Sequence, residues 1–93
     1  MQMQIGRFAI EPGLREAFLE FARSIVEREQ GAPGCLRFAI YEDVHAPNHF
    51  MMYEEWEDDT LLEQHLENAQ VQEDEQTLSR FIIGEPSWDE FVF

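Results

Sequence analysis

The sequence contains no lysine, and its six basic side chains are all arginines against 20 acidic residues in a chain of 93. The absence of lysine excludes a lysine Schiff base and a phosphate-binding P-loop, since both need the ε-amino group. The formal net charge of −14 at pH 7 disfavours binding to nucleic acid or to an anionic membrane surface, because both are negatively charged. A small neutral or aromatic ligand is therefore the favoured partner.

Cysteine is nearly absent as well, because Cys35 is the only one and no intrachain disulfide can form. Its place in the apolar run 35–41 favours a buried, unreactive thiol. No apolar run approaches the roughly 18 residues that a membrane-spanning helix needs. We expect a single domain over residues 1–93 in the reducing cytoplasm. Because so small a domain has little core, we also expect it to form a homodimer.

The first third of the chain predicts a strand followed by a helix. Residues 3–10 are rich in β-branched and aromatic side chains, and Pro12-Gly13 marks their end. The turn 31–34 is a strong helix stop, with two glycines and a proline. Between these limits, apolar residues recur at spacings of three and four and predict one buried helix face: Leu14, Ala17, Phe18, Phe21 and Ile25.

The rest of the chain predicts a hairpin, a long helical region and a final strand. Asp58 and Asp59 suit the start of a helix, and Thr60 and Glu63 have capping-box spacing. This helical region is expected to break or bend near Asn68 and to end at Gly84 as a C-terminal glycine. The predicted strands are residues 35–42, 49–57 and 87–93.

The order β-α-β-β-α-β predicts an α+β, ferredoxin-like fold with a four-stranded antiparallel sheet covered by helices on one face. The second and fourth strands are apolar on both of their faces, so neither face suits water. We therefore expect the open sheet face to contact the second subunit of a homodimer.

The stretch from Phe50 to His65 predicts a candidate site. Alternation along the strand places Glu54 on one face with Phe50, Met52 and Trp56. A carboxylate among large apolar groups is either paired for structural reasons or is an acid or base with a perturbed pKa. His65 follows on the inner stripe of a helix, where it is either a proton-transfer group or a core histidine satisfied by a hydrogen bond.

No metal site is predicted. His45 and His49 are four residues apart, but Pro47 places them in a hairpin loop rather than on a helix. The acidic run 54–59 lacks the glycine and the alternating ligands of a calcium loop.

In combination, four motifs resemble those of the antibiotic biosynthesis monooxygenase family. The resemblance covers nearly the whole chain and is more specific for the family than for a substrate. The matching segments are Pro12-Gly13, Pro33-Gly34-Cys35-Leu36-Arg37-Phe38, Tyr53-Glu54-Glu55-Trp56 and His65-Leu66.

The resemblance implies a dimeric α+β barrel with a cofactor-free active site in each subunit, between the sheet and its helices. Members that oxygenate aromatics are thought to deprotonate the substrate, which then passes an electron to dioxygen. By this resemblance, His65 and Glu54 are the catalytic candidates, and which of them is the base stays open. The candidates for substrate binding are Trp56, Phe21, Phe38, Met52 and Phe81.

Departures from the family's patterns narrow the substrate. Polyketide-oxygenating members are matched only at Trp56, since Met52, Leu62 and Gln76 stand in place of their asparagine, tyrosine and arginine. Haem-degrading members are not matched, because Gly6, His65 and Glu75 replace their asparagine, tryptophan and histidine. A quinol-type monooxygenase using no cofactor is therefore the expected function. An isomerase or tautomerase of a small carbonyl metabolite and a non-catalytic ligand-binding dimer are the alternatives.

Overall fold

The computed structural model describes all 93 residues. Four strands form one antiparallel sheet in the order β2-β3-β1-β4, which confirms the α+β, ferredoxin-like fold. The elements are β1 (Gln2–Ile10), a 3₁₀ turn (Pro12–Leu14), α1 (Arg15–Glu29), β2 (Cys35–Glu42), β3 (His49–Trp56), α2 (Asp59–Leu66), α3 (Ala69–Phe81) and β4 (Ile82–Val92). None of the helices combines the length and the apolar composition needed to cross a membrane.

The helix ends agree in part with the predictions. The break near Asn68 is confirmed, because its side chain accepts a hydrogen bond from the Gln70 amide and begins α3. Asp58 caps α2 by accepting a hydrogen bond of 2.8 Å from the Leu61 amide, so the cap is Asp58 and not the Thr60–Glu63 pair. Two residues of the predicted buried face are exposed instead: Leu14, which precedes α1 in the 3₁₀ turn, and Ala17.

The predicted end of the helical region at Gly84 is wrong. α3 ends at Phe81, and β4 starts at once because Ile82 and Ile83 pair with Ile10 and Ala9 of β1. Gly84 has a φ of 71° and lies in a bulge of β4, where residues 84–86 face a single residue of β1. A glycine and a proline that resemble a helix stop thus form a strand irregularity instead.

The core lies between the helices and one face of the sheet. Large side chains of β1 and β3 meet α1 there, and the rings of Phe18 and Phe50 lie 4.7 Å apart between centroids. Burying each such side chain stabilises the fold by about 2 kcal/mol. The core residues are Phe8, Ile10, Phe18, Ala22, Ile25, Phe38, Phe50, Met52 and Leu78.

The opposite face of the sheet carries no helix. The strand register places Met3 and Ile5 of β1, Tyr53 of β3 and Phe91 of β4 on this face. A bulge between Cys35 and Arg37 leaves Leu36 54% exposed, while Cys35 packs toward the core. The chain itself does not cover these apolar side chains, which share the face with charged residues such as Arg7 and Asp89.

Candidate functional site

The register of the sheet arranges two rows of side chains beneath the helices. The first row runs across all four strands as Phe38, Glu54, Gln4 and Glu90. The second row, two residues further along, is Ile40, Met52, Gly6 and Trp88. Since directly opposite residues in antiparallel strands lie about 5 Å apart, each row is a continuous strip across the sheet.

Gly6 is the low point of this surface. A Cβ atom at this position would overlap the ring of Trp88, which lies across the glycine. The Trp88 ring also packs against Phe8, with 6.4 Å between their centroids, yet its side chain remains half exposed. Gly6 thus allows an aromatic ring from β4 to lie on the sheet.

A pocket of about 480 Å³ lies between these rows and the helices. Its floor includes Gln4, Glu54, Trp88 and Glu90 from the sheet. The helices contribute Ile25, Glu29, His65, Leu66, Val71, Asp74, Glu75, Leu78 and Ser79. The volume suits a small organic molecule.

Glu54 lies in the floor of this pocket with only 8% of its surface exposed. Its Oε1 accepts a hydrogen bond of 3.1 Å from the indole Nε1 of Trp56, and no arginine pairs with it. Burial raises the pKa of Glu54 from 4.5 to about 7, and the hydrogen bond from Trp56 offsets part of that rise. Glu54 therefore exchanges its proton near neutral pH.

His65 enters the same pocket from α2. Its Nε2 lies 2.6 Å from Oε2 of Glu29 on α1, and its ring lies 4.5 Å from that of Trp56 between centroids. The Glu29 oxygen is buried and makes no well-aligned hydrogen bond, so the contact is mainly electrostatic. Burial lowers the pKa of His65, although the carboxylate of Glu29 acts in the opposite direction.

Glu29 is held in turn by a short ionic chain. Its Oε1 accepts from Nε of Arg28 at 3.3 Å, and Arg28 also pairs with Asp74 on α3. This chain links α1 with α3 beside the pocket. It fixes the Glu29 carboxylate against His65.

Four of the predicted site residues line the pocket: Glu54, His65, Phe38 and Met52. Trp56, which the sequence also assigned to the wall, is completely buried behind Glu54 and His65 and has no surface in the pocket. Phe21 and Phe81 likewise lie outside it and pack against each other, with 5.6 Å between centroids. Direct contact with a pocket ligand is therefore unavailable to these three side chains.

Sequence reasoning missed Glu29 and Trp88. Glu29 continues the buried stripe of α1 after Phe18, Ala22 and Ile25, at spacings of four, three and four. A carboxylate on that stripe was a signal of the same kind as Glu54. Trp88 was assigned to β4 without a role, because its place in the pocket depends on the register with Gly6.

A second carboxylate on the same sheet face lies outside the pocket lining. Both oxygens of Glu42 on β2 pair with the guanidinium of Arg15, and Oε2 also accepts from the Asn48 backbone amide at 2.8 Å. Arg15 donates a further bond of 2.9 Å to Oδ1 of Asn48. The bonds from Arg15 and Asn48 lower the pKa of Glu42 to about 2.

Cys35 does not contribute a nucleophile. Burial, with the nearby Glu54 carboxylate, raises the pKa of the thiol to about 11. The thiol therefore stays protonated at neutral pH.

Comparison of the sequence with known proteins identifies relatives along most of its length. It is 33% identical over 63 residues to "Putative monooxygenase YcnE" of Bacillus subtilis, covering 68% of this chain and 66% of that protein. It is 26% identical over 68 residues to the uncharacterized protein sll1783 of Synechocystis, covering 73% of this chain. The chain spans about half the length (46%) of the Synechocystis protein and just under two thirds of the Bacillus protein.

Solved structures share the fold at lower identity. A "putative antibiotic biosynthesis monooxygenase" from Deinococcus radiodurans superposes with a TM-score of 0.91 at 18% identity, covering 100% of this chain and 92% of that one. A protein from Nitrosomonas europaea with the same description gives 0.89 at 22% identity, covering 100% and 98%. The family model for antibiotic biosynthesis monooxygenases matches residues 1–74. The chain belongs to the antibiotic biosynthesis monooxygenase family.

Proposed function

We propose that the protein is a cofactor-independent monooxygenase that oxygenates a small, electron-rich aromatic molecule of the quinol type. One observation carries the proposal: a pocket between the sheet and the helices has two proton-exchanging side chains, Glu54 and His65, in its lining. Family membership supports the reaction class, and the relatives' names go no further than monooxygenase.

Glu54 is the better candidate for the group that moves a substrate proton. General acid–base catalysis is most efficient when the pKa lies near the working pH, and the pKa of Glu54 is about 7. Its second carboxyl oxygen makes no hydrogen bond with the protein. That oxygen is free to accept a proton from a bound phenol.

His65 is assigned to the second proton transfer. The Glu29 carboxylate beside Nε2 stabilises a proton on that nitrogen, which leaves Nδ1 as the basic atom. His65 contacts Glu29, whereas the side-chain hydrogen bond of Glu54 is with Trp56. Each of the two acid–base groups therefore has its own partner, Trp56 for Glu54 and Glu29 for His65.

The proposed reaction consumes dioxygen and releases water. Deprotonation of a hydroquinone gives a phenolate that transfers one electron to dioxygen, and the resulting superoxide adds to a ring carbon to form a hydroperoxide. Loss of the proton on that carbon and cleavage of the O–O bond give a carbonyl, and the departing hydroxide is protonated to water. Overall, hydroquinone and dioxygen become hydroxyquinone and water, with dioxygen as the oxidant.

Trp56 is assigned a positioning role rather than direct substrate contact. Its indole donates to Glu54 and its ring packs against His65, so it holds both groups from behind. Removing the indole N–H in Trp56→Phe is expected to raise the pKa of Glu54 further. The pH profile of turnover is then expected to shift upward, a change that a purely structural role would not cause.

The open sheet face supports a homodimer as the working form. Met3, Ile5, Tyr53 and Phe91 would be covered by the same face of a second copy. Wild-type protein at micromolar concentration is expected to have the mass of a dimer by light scattering. Ile5→Arg places a charge at the centre of this face and is expected to yield a monomer.

Oxygen uptake tests the proposed activity. Wild-type protein treated with a chelator is expected to consume dioxygen with a hydroquinone when no metal or flavin is added. His65→Asn is expected to reduce this rate at least tenfold, within the usual range for losing an acid–base group. His45→Asn is the matched control, because His45 is exposed in the hairpin loop away from the pocket. Equal rates for both variants would contradict the assignment of His65.

An isomerase or tautomerase remains the second candidate, since a protonated carboxyl and a basic imidazole in one pocket suit enolisation of a carbonyl compound. Such a reaction needs no oxygen. Turnover of a small carbonyl substrate that persists under anaerobic conditions would favour this function.

A further inference from the structure

The pocket lining is acidic to an unusual degree. Five carboxylate side chains belong to it, with no arginine, and His65 is its one basic side chain. They are Glu29, Glu54, Asp74, Glu75 and Glu90, whereas Asp89 lies opposite Ile5 and pairs with Arg7 on the open sheet face. Carboxylates therefore line the pocket from α1, α3, β3 and β4.

Two of these five carboxylates have a cationic partner within the protein, because Glu29 and Asp74 both pair with Arg28. Glu54, Glu75 and Glu90 have none. These three come from β3, α3 and β4 and surround one side of the pocket.

Glu54 is also a buried acceptor without a complete set of partners. Its side chain is more than nine-tenths buried, and only one of its oxygens accepts a hydrogen bond from the protein. A buried carboxylate of this kind is costly unless a donor reaches it. Since the residue lines the pocket, a bound ligand is the donor best placed to do so.

Gln4 extends this acceptor surface. It lies between Glu54 and Glu90 in the register, and its Nε2 donates to Oε1 of Glu90 at 2.9 Å. With its amide nitrogen directed to Glu90, Gln4 has its carbonyl oxygen left for other contacts. The row Glu54–Gln4–Glu90 thus offers acceptors, and it is complementary to a group that is rich in N–H donors.

An aromatic surface lies beside this row. Trp88 is next to Glu90 in the pocket lining, and its side chain is half exposed over Gly6. A half-exposed indole stacks on aromatic rings and attracts cations to its face. Acceptors and an aromatic platform therefore meet at one end of the pocket.

We propose that the pocket selects ligands by charge, binding an aromatic ring that carries a protonated amino group and rejecting aromatic carboxylates. The ring packs against Trp88, and the ammonium group lies on the row Glu54–Gln4–Glu90 with Glu75 opposite. The inference rests on the proposed function for the aromatic ring. It adds that the ligand carries a positive charge, which distinguishes it from a simple quinol.

A series of three phenols tests this selection, because tyramine, tyrosol and 4-hydroxyphenylacetate share a ring and differ mainly in the charge of a short side chain. Isothermal titration calorimetry on the intact protein at low salt is expected to show tyramine binding roughly tenfold more tightly than tyrosol, the gain expected for partly screened charges. The carboxylate is expected to bind more weakly than tyrosol. Equal affinities for tyramine and tyrosol would overturn the proposal.

A pair of double variants tests the location. Glu75→Gln with Glu90→Gln removes two charges of the pocket lining, whereas Glu73→Gln with Glu85→Gln removes two equally exposed charges of the same two elements outside the lining. The first pair is expected to reduce the preference for tyramine over tyrosol to about threefold or less, and the second to leave it near wild type. An equal loss in both pairs would mean that net charge alone causes the preference, which overturns the assignment to the pocket.

Binding and oxygen uptake separate this inference from the proposed function. Oxygen uptake with hydroquinone together with no preference for tyramine would refute the charge selection and leave the monooxygenase proposal intact. A clear preference for tyramine without oxygen uptake from any of the phenols or from hydroquinone would refute the monooxygenase proposal and support the charge selection.

Discussion

Glu42 and Glu54 lie on the helix-covered side of the same sheet, on adjacent strands, and they have opposite ionisation behaviour. Glu42 accepts two hydrogen bonds from Arg15 and one from the Asn48 backbone amide, and its pKa falls to about 2. Glu54 accepts one hydrogen bond, from Trp56, and its pKa rises to about 7. The same side chain is thus a fixed anion in one place and a carboxyl with a pKa near neutral pH in the other.

The difference shows how partners decide the role of a carboxylate. Around Glu42, the guanidinium and the backbone amide satisfy both oxygens, so the group has little left to offer a ligand. Around Glu54, burial without a cation disfavours the charged form. Perturbed pKa values of the second kind, in a pocket, are typical of functional sites.

The largest expected effect is on activity. Glu54→Gln keeps the shape of the side chain but removes the exchangeable proton, so the rate of oxygen uptake with a hydroquinone is expected to fall about 100-fold or more. Glu42→Gln is expected to retain the wild-type rate at a temperature where it is folded, because Glu42 is outside the pocket. If Glu54→Gln retains full activity, Glu54 is not the proton carrier.

The second effect is on the pH dependence of stability. Folding raises the pKa of Glu54 from 4.5 to about 7, so the folded state holds this proton more tightly than the unfolded chain. The associated stability is fully present below pH 4.5 and is lost as the pH rises through 7, a change of about 3 kcal/mol. Glu54→Gln is expected to lack this loss and to be more stable than wild type at pH 8.

Urea denaturation at pH 5 and pH 8 measures that change. Glu57→Gln serves as the control, because Glu57 follows Trp56 at the exposed end of the strand. The free energy of unfolding of Glu54→Gln should exceed that of Glu57→Gln by more at pH 8 than at pH 5. A gain that is the same at both pH values would contradict a raised pKa.

The third effect is a loss of stability at low pH, opposite in direction to the effect of Glu54. Folding lowers the pKa of Glu42 from 4.5 to about 2, so its contribution to stability is present above pH 4.5 and is lost as the pH falls toward 2. Glu42→Gln is expected to be less stable than wild type at pH 7, with a difference that narrows as the pH falls from 4.5 to 2. Thermal unfolding followed by circular dichroism across this range tests the sign.

The smallest effect concerns the residue that completes the Glu42 cluster. Asn48 has a φ of 66°, in the left-handed region where alanine is disfavoured by about 1 kcal/mol. Asn48→Ala loses this preference and the bond from Arg15, for a total cost of about 2 kcal/mol. Asn48→Gly keeps the backbone conformation, so it is expected to cost about half as much in chemical denaturation. Equal costs would mean that the backbone preference is unimportant here.

The sequence predicted the fold because its strongest signals are local. Period-two alternation in β3 placed Glu54 and Trp56 on the inner face, and Asn68 predicted the break between α2 and α3. The prediction failed at Gly84, where a helix-stop pattern forms a bulge in β4. Pairing of Ile82 with Ile10 across the sheet decides that outcome, and pairing is not visible in a local pattern.

For the site, too, local signals were predictable from the sequence and contacts between distant residues were not. Glu54 and His65 carried local signals and do line the pocket, whereas the partner of His65 is Glu29, 36 positions earlier in the chain. Trp88 reaches the pocket because β4 pairs with β1 at Gly6. Contacts between distant elements therefore decide which aromatic residue lines the pocket. Trp88 lines it, whereas Trp56, the residue predicted from the sequence, does not.

The most direct test of the contrast between the two carboxylates is a carbon-13 NMR titration of protein labelled at the glutamate carboxyl carbons, with Glu54→Gln and Glu42→Gln used to assign the two signals. The account predicts a midpoint near 7 for Glu54 and one near 2 for Glu42. A midpoint for Glu54 near 4.5, the ordinary value, would show that its carboxyl is a simple anion at neutral pH and would contradict its role as the proton carrier of the pocket.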